Sequence, residues 1–247
     1  HLSLRSGNPV LKANTFIQRQ TTIDTGTMTI TGTVNKTALG LLLLMTTAIF
    51  TWNMAPTDPR MSVLMMVGIF GGLIAAMITV FKRHLAPYTT PIYALLEGLA
   101  LGGISRFFET LYPGIVNQAV FLTFGTLAAL LFAYQSGLIK PTENFKLGIV
   151  AATGGIFFVY IISFILGLFG VQVPLIHSNS NFGILFSFGV VVIAALNLVL
   201  DFDFIEEGAE IGAPKYMEWF GAFGLLVTLV WLYLEILHLL AKLQSRR

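Results

Sequence analysis

Residues 221–242 read GAFGLLVTLVWLYLEILHLLAK. Only Glu235 and Lys242 in that stretch are formally charged. At 1.5 Å per residue it makes a helix of about 33 Å, enough to cross a hydrocarbon core of about 30 Å. Six stretches of the same kind precede it, at roughly 37–55, 62–81, 88–107, 115–134, 147–170 and 183–205. Turn chemistry separates them: Ala55-Pro56-Thr57-Asp58-Pro59, Lys82-Arg83-His84, Tyr112-Pro113-Gly114 and Lys140-Pro141-Thr142-Glu143-Asn144. The pattern predicts an all-α membrane protein with seven transmembrane helices over residues 37–247. The connections are too short to hold a soluble domain.

Composition agrees. Hydrophobic residues are 55% of the chain and charged residues 11%, against about 25% charged in soluble domains. A net charge of +2 gives no footing for nucleic acid. With no cysteine, disulfides, thiolate metal sites and cysteine nucleophiles are excluded. Residues 1–36 are polar and rich in Thr and Ser, and lack the apolar core of a signal peptide. They read as a surface arm in which the alternation Met28-Thr29-Ile30-Thr31-Gly32-Thr33 suits a short strand.

Lys and Arg set the expected orientation. With the N-terminus in the cytoplasm, the inner segments hold Arg5, Lys12, Arg19, Lys36, Lys82, Arg83, Lys140, Lys146 and Lys215. The outer segments hold Arg60, Arg106, Lys242, Arg246 and Arg247. Seven crossings put the last three outside, against the rule; one re-entrant segment would return them inside. Gly98, Gly102 and Gly103 in the third segment, with Gly148, Gly154 and Gly155 further on, read as close helix contacts.

A carboxylate near the bilayer centre costs on the order of 2.5–3.5 kcal/mol on insertion scales, so each requires a reason. Glu97 lies mid-segment in Tyr93-Ala94-Leu95-Leu96-Glu97-Gly98. It is either a protonated group bonded to another helix or part of a functional site. Asp201 and Asp203 end the sixth segment; about 200° of helical rotation separates them. Asn197, one turn before Asp201, extends a polar stripe inward, which favours function for Asp201 and an interfacial role for Asp203. Glu235 lies among apolar residues with His238 one turn on, so the two either bond locally or serve a site. Two acids brought together across helices share a proton and titrate as a unit, and such a pair also suits calcium. No phosphate loop, His-Glu-x-x-His or nucleophile elbow accompanies these acids, so an enzyme is not expected. His177, after Pro174, reads as a surface residue.

Four stretches carry a family resemblance: Ser6-Gly7-Asn8-Pro9-Val10-Leu11; Ala86-Pro87-Tyr88-Thr89-Thr90-Pro91-Ile92-Tyr93-Ala94-Leu95-Leu96-Glu97-Gly98; Leu196-Asn197-Leu198-Val199-Leu200-Asp201-Phe202-Asp203-Phe204-Ile205-Glu206; and Trp231-Leu232-Tyr233-Leu234-Glu235. Through them nearly the whole chain resembles the transmembrane Bax-inhibitor-motif family, in its bacterial branch. The resemblance implies seven helices with the seventh at the centre, in a bacterial inner membrane. It also implies a pH-sensitive calcium (cation) leak with no resident cofactor. It implies that Asp201 pairs with Glu235, the latter standing where the family has Asp, and that Arg83 is the basic latch, with Lys82 beside it. Asp201 and Glu235 are then the candidate calcium ligands, and Glu97, Asn197 and His238 candidate groups along the path.

Helix geometry limits that pairing. A seventh helix beginning near Trp219 puts Glu235 about 24 Å along its length, out of reach of Asp201. The pair forms only if that helix starts later, or if residues 216–223 make a separate turn. The rival expectation is a membrane-embedded regulator bound to a membrane protease or quality-control complex.

Overall fold

Short polar side chains mark where the apolar runs become helices. Thr29 Oγ1 accepts from Gly32 N at 3.0 Å, and the Asp58 carboxylate from Arg60 N at 2.9 Å. Ser180 Oγ accepts from Gly183 N at 3.2 Å and Thr142 Oγ1 from Phe145 N at 3.4 Å. Each satisfies an amide that the first helical turn leaves without a partner. The computed structural model describes residues 26–170 and 180–246; the Ser6–Leu11 stretch and His177 lie outside them. Among the described residues seven α-helices follow in order: α1 (Ile30–Trp52), α2 (Pro59–Phe81), α3 (Ala86–Leu111), α4 (Ile115–Gln135), α5 (Glu143–Leu168), α6 (Asn181–Glu210) and α7 (Met217–Gln244). A 3-10 turn, Arg83–Leu85, links α2 to α3.

Helix α4 takes its cap from the helix before it. Gly114 precedes α4 with φ of 84°, where glycine is favoured. Glu109 of α3 reaches across the turn. Its Oε1 accepts from Gly114 N at 2.6 Å and its Oε2 from Val116 N at 3.1 Å.

Among the described residues six helices are long and apolar enough to cross a bilayer; α3 falls short on hydropathy. Its 26 residues make about 39 Å of helix but include Glu97, Arg106 and Glu109. The ends of the helices gather consistently. The start of α3 meets the start of α7, where Thr90 Oγ1 donates to Trp219 O at 3.2 Å. Lys36 near the start of α1 pairs with Glu218, also at the start of α7. The ends of α4 and α6 meet where Tyr134 donates to Glu206, and the start of α5 joins them through Lys146 and Asp203 at 2.6 Å. One end of the bundle thus collects the starts of α1, α3, α5 and α7, so successive helices alternate in direction.

Helix α7 is the axis of the bundle. Its Leu225, Leu229, Leu232 and Ile236 pack with Ala194, Leu198, Phe202 and Ile205 of α6 and with Ile115 and Ala119 of α4. Its opposite face, Phe223, Leu226 and Val230, packs with Leu44 of α1, Ala75 of α2 and Tyr93 and Leu101 of α3. Helix α5 is the contrast: of its 26 residues, only Ile149 is buried. Phe121, Phe157, Phe164 and many similar side chains point outward, an apolar surface that is stable only against lipid.

The glycine reading holds in one place and fails in another. A Cβ at Gly98 would collide with Leu44 O and Thr47 of α1, and one at Gly102 with Ala48 O and Thr51. A Cβ at Gly103 would strike Met65 of α2, so α3 is wedged between α1 and α2. Around Gly148, Gly154 and Gly155 there is open space, because that face of α5 has no helix against it.

The polar arm is shorter than expected on its inner side. Residues 30–36 are already the first two turns of α1, and Met28 is 2% exposed within the core. Thr27 forms a single antiparallel bridge with Pro214, and Met28 N donates to Ala213 O at 2.7 Å. The alternation Thr-x-Thr yields this bridge and a cap rather than a strand, since among the described residues it pairs only with the short turn between α6 and α7.

Candidate functional site

Asp201 sits nine residues before the end of α6, and the connection to α7 is short. In an antiparallel pair, nine residues into α7 is position 226. The structure agrees: the Asp201 carboxylate lies against Gly224, whose added Cβ would stand 3.3 Å from its Oδ1, and bonds to Thr228. Its Oδ2 is buried without a hydrogen-bond partner.

Glu235 is about nine residues further along α7, roughly 14 Å at 1.5 Å per residue. It is 7% exposed and has partners of its own: its Oε1 accepts from Tyr160 OH of α5 at 2.8 Å and from Trp231 Nε1 at 3.2 Å. The expected Asp201–Glu235 pair is therefore not assembled, because α7 starts at Met217 and runs unbroken to Gln244. The same separation removes the expected two-carboxylate calcium site. Among the described residues no three His, Asp or Glu side chains converge into a metal-binding group.

The remaining candidates divide among different helices. Asn197 turns toward α5, its Nδ2 donating to Thr153 Oγ1 and Ile193 O, each at 2.8 Å. The stripe expected from Asn197 to Asp201 is thus split between two neighbours. Glu97 lies against α2, where a Cβ on Gly72 would come within 2.9 Å of its Oε2. The His238 ring is exposed and meets Phe108 of α3 edge-on, centroids 5.4 Å apart. Arg83 is placed at the Asp201 end of the bundle. Its guanidinium stacks 5.2 Å from the ring centre of Phe220, one turn before Gly224 on α7. It meets α7 through that aromatic ring.

The most heavily partnered acid is one that the sequence reading passed over. Glu218, in the first turn of α7, has a fully buried side chain. Its Oε1 accepts from Thr29 N at 2.9 Å, Thr29 Oγ1 at 2.8 Å and Lys215 Nζ at 2.8 Å, and its Oε2 pairs with Lys36. Lys36 also lies over the Trp219 ring, 5.6 Å from its centre. A carboxylate there suits the positive end of a helix dipole. This cluster clasps the first helix to the last. Its sequence signal is faint: an acid just after Pro214-Lys215, with its main partners at Thr29 and Lys36.

Around α7, then, three carboxyls stand apart at different depths, each facing a different helix. Asp201 alone presents a buried, unpartnered oxygen among the described residues. Neither curated proteins nor solved structures give a match to this chain. The family model described as Bax inhibitor 1 like matches residues 8–245, so with its multi-pass helical bundle the chain belongs to the Bax inhibitor 1 like family of membrane proteins.

Proposed function

We propose that this protein is a proton-sensitive leak for cations, calcium among them, with seven crossings and Asp201 as its sensing carboxyl. The observation that carries this reading is the buried Asp201 Oδ2 without a partner, set against the central helix. When ionised, that carboxyl needs a counter-charge that its present surroundings do not supply. One source at that end is Arg83, stacked on Phe220; the other is a permeating cation. A proton removes the need for either, so protonation changes how α6 and α7 are held together. Glu235, about 14 Å away and already bonded by Tyr160 and Trp231, belongs to a separate polar contact. The seventh crossing is α3, which runs antiparallel to α2 and α4 and whose charged residues lie within the bundle or near its ends. The Lys-rich end holding Lys36, Lys82, Arg83 and Lys215 then faces the cytoplasm.

The experiment is cation flux through purified protein in liposomes, with calcium and potassium, across pH. Asp201→Asn flattens the pH profile and Glu235→Gln leaves it in place. An unchanged profile in Asp201→Asn refutes the assignment. A regulator of a membrane protease would instead lose its cellular role, but not flux, on deletion of residues 1–25. Such a deletion must stop before Gly26, because Met28 and Thr29 belong to the bundle.

A further inference from the structure

A cavity of about 410 Å³ opens between α1, α3, α4 and α7. That size is ordinary for a ligand site, commonly ~300–1,000 Å³. It is distinct from the surroundings of Asp201, Glu235 and Glu97, none of which lines it. Along α1 its wall runs from Leu41 to Trp52, eleven residues or about 17 Å, half the ~30 Å of a hydrocarbon core. The cavity therefore has the depth of a single leaflet. It opens sideways: Met45 and Ile49 on α1 and Phe124 on α4 both line it and lie exposed on the lipid face.

Its walls are mostly apolar. The Ser105 and Tyr233 hydroxyls within it bond each other at 2.6 Å, one donating to the other. At the end where α1 stops, a cation stands beside it. The Arg106 guanidinium lies 5.6 Å from the centre of the Trp52 ring, and its Nε is buried with no hydrogen-bond partner. The nearby acid in sequence, Glu109, is committed to the amides of Gly114 and Val116. An apolar slot one leaflet deep, open to the bilayer, with an undersatisfied arginine at its interfacial end, has the shape and charge of a lipid.

We propose that this cavity holds one acyl chain of an anionic phospholipid whose phosphate is bound by Arg106. The site is independent of the cation reading above. The chain replaces lipid–lipid contact with contacts to α1 and α4. The guanidinium gains the charge-assisted hydrogen bonds that phosphate supplies best.

The test is native mass spectrometry of the delipidated full chain in detergent, titrated with dioleoylphosphatidylglycerol or dioleoylphosphatidylcholine. One phosphatidylglycerol is expected to bind with about tenfold preference over phosphatidylcholine: both offer phosphate oxygens, but the choline cation of the latter offsets the charge that the guanidinium attracts. Arg106→Gln abolishes the preference, while Arg106→Lys retains most of it. Val120→Phe, which fills the slot from α4, lowers occupancy by both lipids. Equal binding of the two lipids overturns the proposal, as does a preference untouched by Arg106→Gln. Protein dimers that form in place of lipid adducts would assign the slot to a second copy and overturn it as well.

Discussion

Replacing Glu218 by Gln keeps the shape of the clasp and removes its charge. Thr29 N and Oγ1 can still donate to the amide oxygen. Lys215, whose side chain is 46% exposed, returns to water at little cost, since exposed pairs contribute about 0–1 kcal/mol. Lys36 is different: it is 21% exposed and faces a carboxylate of zero exposure. Removing one partner of a fully buried pair costs about 3–5 kcal/mol. Partial access of Lys36 to water reduces this to about 2–3 kcal/mol. For a chain of this size, ~2–4 °C of Tm accompanies each kcal/mol, so a fall of about 4–12 °C is expected. Thermal unfolding in detergent, followed by tryptophan fluorescence, measures it. Lys36→Met in the Glu218→Gln background should recover part of the loss, because the pair acts as a unit and the second change removes the stranded ammonium. A Tm change under about 2 °C for Glu218→Gln would refute this account. So would a double mutant whose loss equals the sum of the single losses.

The two glycine groups give opposite signs. Gly102→Val drives a side chain into Ala48 O and should cost more than ~3 kcal/mol, read as loss of folded protein by size-exclusion chromatography. Gly154→Ala meets open space and should be neutral or gain up to about 1 kcal/mol in the same thermal assay. Glu109→Ala removes the cap of α4 and should cost about 1 kcal/mol, with faster amide exchange limited to the first turn of α4.

Much of the architecture is legible in the apolar runs, because lipid requires long helices and tolerates few charges. Their polar extensions are not. Helix α1 begins at Ile30 rather than near 37, and α6 continues to Glu210 rather than 205, since helices persist into the interface where Lys, Glu and Thr are well solvated. Spacing alone does not say which glycine face is covered: Gly98 and Gly102 meet α1, whereas Gly154 meets nothing. The acids are visible one by one, but their pairing depends on axial register. That register is set by the short turn between α6 and α7, which puts Asp201 opposite Gly224 and Thr228 rather than Glu235. Glu218 escapes a local reading because it sits in what looks like a loop, and its partner Lys36 is 182 residues away.

That separation has a consequence for biosynthesis. At about 5–20 residues per second, Lys36 emerges roughly 9–36 s before Glu218 exists to receive it. The helix that forms the axis of the bundle is also the last of the seven to be made. Until α7 arrives, Leu44, Tyr93 and Leu198 lack the side chains that α7 packs against them, and the amide of Thr29 lacks its carboxylate. The six earlier helices must assemble around an axis not yet translated. Closure of the bundle is therefore a late event, and a ribosome stalled before Met217 leaves an open ring exposed to membrane quality control.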